Sequence, residues 1–359
     1  MNWGIIGLPR VGKTTLFQVL TRARPQETHR YSEAQHLGVV VIPDERMDRL
    51  AQIIRPAKVT YATAEFVDAA ALRQETMKES AFLQNLRALD GLVHVVRLFH
   101  NEAVAHAQET LDPRRDLMNV EADLILADLG VVENRLERLE KDRKKIKSAD
   151  LEREQDLFER ARQWLETGNA LREVPWSEAE KKQLRGFSFL SEKPMLVVLN
   201  VDDAQAGKLG EVAAAEEFAA LRKRPRMRVE AIAGTIEAEL ATLSDSEAPE
   251  FLASYGLTEL GSQRILRATL ELLDLITFFT LGDKECRAWL IPRGSTALQA
   301  AGTIHTDIEK HFIRAETVGW EPFLQAGGWA GVRPQGALRL EGKEYVVQDG
   351  EVLNIRHSG

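Results

Sequence analysis

The sequence predicts an α/β protein with a doubly wound, mostly parallel sheet, an inserted antiparallel helical hairpin and a C-terminal α+β module. Three observations support this. The chain starts with a short apolar run that leads through a glycine-containing loop into a helical pattern. Strongly apolar runs at 91–98 and 194–201 are typical of parallel strands that are buried on both faces. A heptad pattern lies within 112–189, and short strands follow residue 276.

The first element is a strand over 2–6, and the loop after it has the spacing Gly7-x-x-x-x-Gly12-Lys13-Thr14. A helix with apolar residues at 16, 17, 19 and 20 follows, which is the strand–loop–helix context of a P-loop. The glycines let successive amides turn toward one point, and the helix adds its positive dipole end. Lys13 is expected to reach the β- and γ-phosphates, and Thr14 to ligate Mg²⁺. The motif therefore predicts a P-loop NTPase domain. The residues predicted to bind the nucleotide here are Arg10, Val11, Gly12, Lys13, Thr14 and Thr15.

Length and composition limit the class of protein. The 359 residues predict two or three domains, and 44% hydrophobic with 28% charged residues is typical of a soluble globular chain. No apolar run approaches the roughly 20 residues that cross a bilayer, so we expect no membrane contact. The one cysteine, Cys286, excludes an internal disulfide and a cysteine-based metal cluster. The chain starts on a core strand, without a signal-peptide pattern, so the expected location is cytoplasmic.

The net charge of −8 argues against a protein that coats nucleic acid along its whole surface, and we expect no DNA partner. Local basic patches lie at 222–228 and at 143–147. Charge runs of this kind are more often solvated faces, and RNA contact is the alternative.

Two loops between the first helix and residue 71 are predicted switch loops. The polar segment 21–35 is the predicted first switch loop, with Thr28 and Ser32 as hydroxyl candidates. A strand over 37–43 follows, and Asp44 is predicted to cap a short helix that stops before residue 56. The next strand ends on Asp68, whose carboxylate is expected to order Mg²⁺ through water. Asp68-Ala69-Ala70-Ala71 stands where Asp-x-x-Gly is usual, so the loop is predicted to switch less freely.

Later elements complete the nucleotide domain. A helix over 81–89 precedes the apolar strand 91–98, in which His94 is interpreted as a packed, hydrogen-bonded histidine. The strand 194–201 ends in Asn200-x-x-Asp203, where the asparagine would support the loop and the aspartate would accept hydrogen bonds from a base. Ala233, Gly234 and Thr235 follow a further strand and form the predicted last loop over the base. Between these elements, the heptad seam predicted to pack the helical hairpin consists of Ile125, Leu129, Val132, Leu136 and Leu139.

Taken together, these residues resemble the YchF / Obg-like ATPase family of translation-factor P-loop proteins, essentially end to end. The matching stretches are the P-loop segment 7–17, 38–44, 92–97, 127–129, 193–200, 300–316 and 341–350. The last two resemble the family's ubiquitin-like TGS domain. The resemblance implies a nucleotide domain over 1–111 and 190–274, a helical coiled-coil domain over 112–189 and a TGS-like domain over 275–359. It also implies ribosome association, slow hydrolysis and a Mg²⁺ site at Thr14, Ser32 and Asp68.

The base specificity stays open at this point. The family usually has Asn-x-x-Glu, which accompanies a preference for ATP, and the matching positions here are Asn200, Val201 and Asp203. Because aspartate replaces glutamate, GTP remains an alternative to ATP. The second switch is shorter than in the family, and Leu72 matches its hydrophobic residue.

The leading functional hypothesis is slow, Mg²⁺-dependent hydrolysis of ATP, or of GTP, by a monomer that associates with the ribosome or its RNA. Lys13 and Asp68 are the predicted catalytic residues. The second hypothesis is a nucleotide-dependent binding module without useful turnover, which Ala69-Ala70-Ala71 favours. A third is an RNA-binding adaptor in which the basic patches and the TGS-like module matter and nucleotide does not.

Overall fold

The computed structural model describes residues 1–22, 31–32, 37–69, 80–101, 110–146, 148–241, 243 and 247–358. The chain divides into two compact units. The first comprises Met1–Val40 and Glu65–Leu272, and the second comprises Val41–Ala64 and Leu273–Gly359. Residues 41–64 therefore group with the C-terminal part of the chain. The domain bounds implied by the family resemblance stay a prediction.

The strands and helices alternate through the first unit, as the sequence predicts. The described strands are β1 (Asn2–Ile6), β2 (Tyr31–Ser32), β3 (Leu37–Val41), β4 (Val59–Thr60), β5 (Thr63–Asp68), β6 (Gly91–Arg97), β7 (Met195–Asn200), β8 (Met227–Ile232), β9 (Leu275–Leu281), β10 (Cys286–Pro292), β11 (Phe312–Gly319), β12 (Arg339–Glu341) and β13 (Glu351–His357). The described α-helices are α1 (Lys13–Arg22), α2 (Glu45–Ile54), α3 (Ser80–Arg87), α4 (Pro113–Arg143), α5 (Ala149–Glu166), α6 (Glu178–Leu184), α7 (Leu209–Ala214), α8 (Ala219–Arg222), α9 (Gly234–Leu240), α10 (Ala248–Ser254), α11 (Gly261–Leu272), α12 (Ala297–Ile304), α13 (Thr306–Lys310), α14 (Trp320–Gln325) and α15 (Trp329–Val332).

The larger sheet has seven strands in the order β2-β3-β5-β1-β6-β7-β8. Strands β5, β1, β6, β7 and β8 pair in parallel, and β2 pairs with β3 in antiparallel fashion. Every residue of β6 and β7 is buried, which explains their strongly apolar sequence pattern. The mostly parallel sheet is confirmed. Its carboxyl edge collects the segments that follow β1, β6, β7 and β8.

His94 lies within β6 and is 1% exposed, so the packed position predicted for it is confirmed. Burial lowers the pKa of His94 to about 4, and the imidazole is neutral at physiological pH. Its Nδ1 has no hydrogen-bond partner among the described residues, so the predicted hydrogen bond is not found at that atom.

The inserted region forms the predicted helical hairpin of α4 and α5. Asp112 caps α4, because its side chain accepts a hydrogen bond from the Arg115 amide, and Pro113 occupies the first helical turn. Ser148 caps α5 in the same way through the Asp150 amide. All five residues of the heptad seam pack into one apolar cluster with the inner face of α5. Their mutual packing is confirmed, and supercoiling of the two helices stays a prediction.

The second unit is an α+β assembly on a six-stranded sheet with the order β12-β11-β13-β9-β10-β4. Helix α2 packs on it: Met47 and Leu50 are completely buried in a cluster with Phe279, Cys286 and Val352. Asp44 caps α2 through the Arg46 amide at 3.0 Å, as predicted. The α+β character of the C-terminal module is confirmed. In the part of the chain that the structure describes, no helix has the length and apolar character needed to cross a bilayer.

Candidate nucleotide-binding site

The loop between β1 and α1 has the backbone conformation of an anion-binding nest. Gly7, Arg10 and Gly12 have φ values of 140°, 63° and 99°. A β-carbon at Gly7 would collide with the Val95 carbonyl oxygen, and one at Gly12 with the Asn200 side-chain nitrogen. Both glycines are therefore required by close contacts as well as by their conformation. The loop leads directly into α1, whose N-terminus directs free amides toward the same space.

Lys13 is the first residue of α1 and is 8% exposed. Its Nζ donates hydrogen bonds to the carbonyl oxygens of Gly7 at 3.0 Å and Leu8 at 2.6 Å. Burial lowers the pKa of Lys13 to about 8, although the charge of Asp68 acts in the opposite direction. The ammonium group is therefore held within the P-loop, at an energetic cost that a bound anion would offset.

Thr14 and Asp68 are brought together from α1 and from the carboxyl end of β5. The Thr14 hydroxyl donates a hydrogen bond to an Asp68 carboxylate oxygen at 3.0 Å, and Asp68 is 1% exposed. Register places Asp68 beside Ile5, immediately before the P-loop. A hydroxyl and a carboxylate oxygen at this distance are hard ligands of the kind that Mg²⁺ prefers, so the pair fits a magnesium site.

The two switch predictions fall mostly outside the described residues. Thr28, Ala70, Ala71 and Leu72 lie there, and only the backbone of Ser32 is described, in β2. Ala69 is described: it is 1% exposed, and its amide donates to the Ile5 carbonyl at 3.3 Å. The start of the second switch motif is thus packed into the sheet core.

Asn200 connects the P-loop to the last loop of the site. Its Nδ2 donates to the Val11 carbonyl at 3.1 Å, and its Oδ1 accepts from the Gly234 amide at 3.1 Å. Asn200 is 7% exposed, so both bonds are shielded from water. Gly234 is the first residue of α9, so the predicted loop over 233–235 is shorter than the sequence indicated. The asparagine supports the loops, as predicted for this motif position.

A cavity of about 690 Å³ lies in front of these elements. Its lining includes most of the predicted binding residues, namely Arg10, Gly12, Lys13, Thr14, Thr15, Asn200, Val201, Asp203 and Gly234. Val11 and Ala233 do not line it and are each 1% exposed. Their predicted contribution is limited to backbone groups, and the binding roles of all these residues stay predictions.

The segment 99–101 also lines this cavity, although no sequence motif predicted it. Arg97 holds this segment from the end of β6: its Nε donates to the Phe99 carbonyl at 3.0 Å, and its guanidinium lies 4.3 Å from the centre of the Phe99 ring. The His100 amide donates to Asp202 at 3.0 Å. The segment follows β6, a buried strand that lies between β1 and β7 in the sheet. Loops after neighbouring parallel strands meet at one edge of the sheet, so the strand order could have placed this segment at the site.

The parallel sheet, the P-loop at its carboxyl edge and the Thr14–Asp68 pair define a P-loop GTPase-type domain. A family model for 50S ribosome-binding GTPases matches residues 2–128, and the model of the YchF GTPase C-terminal domain matches residues 275–358. Curated relatives named "Ribosome-binding ATPase YchF" are similar over 98% of both chains: the protein of Pasteurella multocida is 39% identical and that of Bacillus subtilis 37%. The solved structure of the Schizosaccharomyces pombe YchF GTPase has a TM-score of 0.87 and 27% identity, covering 99% of this chain and 97% of that one. The chain belongs to the YchF family.

Proposed function

We propose that this protein binds ATP, or GTP, with Mg²⁺, hydrolyses it slowly and associates with the ribosome. The observation that supports this most directly is the Lys13, Thr14 and Asp68 arrangement beneath a nest of P-loop amides. The names of the curated relatives add ribosome binding and ATPase activity as properties of those proteins. Monomeric state and cytoplasmic location are parts of the same proposal, and DNA is not an expected partner.

The chain's own groups supply the electrostatic part of this chemistry. Loop amides and the Lys13 ammonium neutralise the phosphates, and their geometry is fixed before the substrate arrives. Thr14 and Ser32 would hold the metal, with Asp68 behind a water ligand. When bound, Mg²⁺ would supply charge neutralisation at the phosphates.

Asp203 is the residue that we propose contacts the base. It lines the cavity at the start of a short helical turn over Asp203–Lys208, just after β7. A carboxylate can accept two hydrogen bonds from the guanine N1–H and amino group, whereas adenine presents a single amino group. The curated relatives are named ATPases and the yeast structure a GTPase. Parallel calorimetric titrations with ATP and GTP discriminate between the two.

The test of the enzyme proposal is Mg²⁺-dependent phosphate release by wild type and by Lys13→Ala. We expect the substitution to abolish phosphate release, because Lys13 carries the only buried ammonium group among the described residues and the P-loop loses it. Lys208→Ala is the matched control, since Lys208 is exposed and does not line the cavity. Equal rates for wild type and Lys13→Ala would remove the enzyme proposal.

A second candidate function is a nucleotide-dependent binding module without useful turnover. It is favoured by Ala69, whose packed position and bond to Ile5 restrict the start of the second switch. Saturable binding of nucleotide without single-turnover hydrolysis would select this candidate. Sedimentation with ribosomes in the presence and absence of ATP tests the adaptor alternative, which predicts no effect of nucleotide.

A further inference from the structure

A second cavity, of about 650 Å³, lies at the amino-terminal edge of the seven-stranded sheet, opposite the P-loop edge. Asp90, Pro194 and Arg226, which line it, immediately precede β6, β7 and β8. The rest of its wall comes from the end of α3 and from the segment 171–193 that returns from the helical hairpin. The cavity lies wholly within the first unit and shares no lining residue with the nucleotide site.

Its lining is rich in cationic side chains. The cations are Arg87, Arg172, Lys181, Arg185, Lys193 and Arg226, and the carboxylates are Asp90 and Glu192. The nucleotide cavity, by comparison, has two cations and two carboxylates in its lining, namely Arg10, Lys13, Asp202 and Asp203. The second cavity therefore has the larger excess of positive side chains.

Three of these cations are already neutralised by carboxylates outside the lining. The pairs are Arg87 with Asp128 at 2.8 Å, Arg172 with Glu121 at 2.6 Å and Lys181 with Glu178 at 2.7 Å. The other three are Arg185, Lys193 and Arg226, and none of them forms an ion pair within 4.0 Å in the described part of the chain. Arg226 and Lys193 interact electrostatically with the carboxylates of Glu192 and Asp90, which leaves one positive charge in excess among these five side chains.

Two of the lining cations, Arg172 and Lys193, are held within the protein. Arg172 has a completely buried side chain, and its Nη2 has no hydrogen-bond partner among the described residues. The Lys193 ammonium donates to the Arg87 carbonyl at 3.0 Å and to the Leu89 carbonyl, and burial lowers the pKa of Lys193. The Arg172 guanidinium has no surface open to the cavity, so it acts on a bound anion through its charge and not by a hydrogen bond.

We propose that this cavity binds a small phosphate-bearing ligand. Guanidinium groups match the oxygen geometry of phosphate, and two arginines that line the cavity, Arg185 and Arg226, are exposed. The volume lies within the range of about 300–1,000 Å³ that is typical of small-molecule sites, so it has room for more than the phosphate group itself. The cations line one concave volume, which favours a small ligand that enters the cavity over the extended phosphate backbone of an RNA.

The test uses the full-length protein saturated with Mg²⁺ and a non-hydrolysable ATP analogue, so that the P-loop is not available to the probe. Inorganic phosphate is then titrated by calorimetry into wild type, Arg226→Gln and Arg185→Gln. Lys182→Gln is the matched control, because it removes the same charge from an exposed residue of α6 that does not line the cavity. The separate titration of the ATP analogue reports on the nucleotide site, so failure of one proposal is distinguishable from failure of the other.

We expect saturable binding of one phosphate by wild type and by Lys182→Gln, with at least about ten-fold weaker binding by Arg226→Gln and Arg185→Gln. Arg226→Lys should bind phosphate more tightly than Arg226→Gln but less tightly than wild type, because lysine keeps the positive charge but lacks the paired donors of the guanidinium. Absence of saturable binding by wild type would overturn the proposal, as would equal affinities in all variants. If Arg226→Gln and Arg185→Gln sediment less with ribosomes but bind phosphate as the wild type does, the proposal is overturned in favour of an RNA contact.

Discussion

At the scale of single residues, Lys13 determines how the phosphate site should respond to pH. Its burial lowers the pKa to about 8 in the free protein, whereas a bound polyphosphate favours the charged form. Below pH 8 the ammonium is charged before the nucleotide arrives. Above it, binding must take up a proton, so the affinity decreases as the pH rises through this value.

We therefore predict about ten-fold weaker ATP binding at pH 9 than at pH 7, with proton uptake at the higher pH. Calorimetry in two buffers with different ionisation enthalpies measures both quantities. Lys13→Ala is the control and should bind weakly at both pH values. An affinity of the wild type that is constant between pH 7 and 9 would contradict the prediction.

Asn200 is the second residue whose effect can be predicted. Asn200→Ala leaves the Val11 carbonyl and the Gly234 amide without their buried partner, at a cost of about 1–3 kcal/mol for each group. We expect a lower melting temperature and nucleotide affinity reduced by ten-fold or more. Asn134→Ala removes a similar amide bond, to the Gly130 carbonyl, at an exposed position and should change neither quantity. Equal behaviour of the two variants would show that Asn200 does not support the loops.

At the scale of secondary-structure elements, one carboxylate attaches α4 to the nucleotide domain. Asp128, which is completely buried, accepts from Arg87 at 2.8 Å, from the Leu190 amide at 3.0 Å and from the Ser191 amide at 2.6 Å. It thereby joins the middle of α4 to α3 and to the segment that returns to β7. The Ala127-Asp128-Leu129 stretch, which contributes to the family resemblance, has this structural role.

Asp128→Asn should lower the free energy of unfolding by about 3–5 kcal/mol, because it removes one charge of the buried ion pair with Arg87. The side-chain NH₂ of the new asparagine would also face N–H groups that now donate to the Asp128 carboxylate. Urea unfolding followed by circular dichroism measures this change. Asp156→Asn on the exposed face of α5 is the control and should be within about 0.5 kcal/mol of wild type. If both variants unfold alike, Asp128 does not provide the attachment.

The elements also show which parts of the structure the sequence can predict. The P-loop, the buried strands and the heptad seam follow from local spacing, and they were found. The start of α9 was missed because its first amide is satisfied by Asn200, which lies 34 residues earlier, and not by a local cap. Phe99 lines the site because of the order of the strands in the sheet and because Arg97 contacts its ring. A local sequence pattern indicates neither of these.

At the scale of the whole molecule, the C-terminal unit is assembled from two distant parts of the chain. Met47 and Leu50 of α2 complete its core, and Arg46 forms an ion pair with Asp349 at 2.7 Å. No sequence pattern near residues 41–64 indicates this, because the partners are more than 200 residues away.

We predict that a fragment of residues 275–359 alone does not unfold cooperatively, since it lacks α2 and β4 and leaves the site of Met47 and Leu50 uncovered. A synthetic peptide of residues 41–64 should restore a cooperative thermal transition. A peptide in which Met47 and Leu50 are both replaced by Asp is the control and should have no effect. A fragment that melts cooperatively without the peptide would contradict the prediction.

The division of this unit between the two ends of the chain also affects biosynthesis. Residues 41–64 leave the ribosome early, but their partners begin only at residue 273. At a translation rate of roughly 5–20 residues per second, the interval is about 10–40 s. During that time the apolar side chains of α2 have no native surface to cover them, so this stretch is where a nascent chain would most need protection by a chaperone.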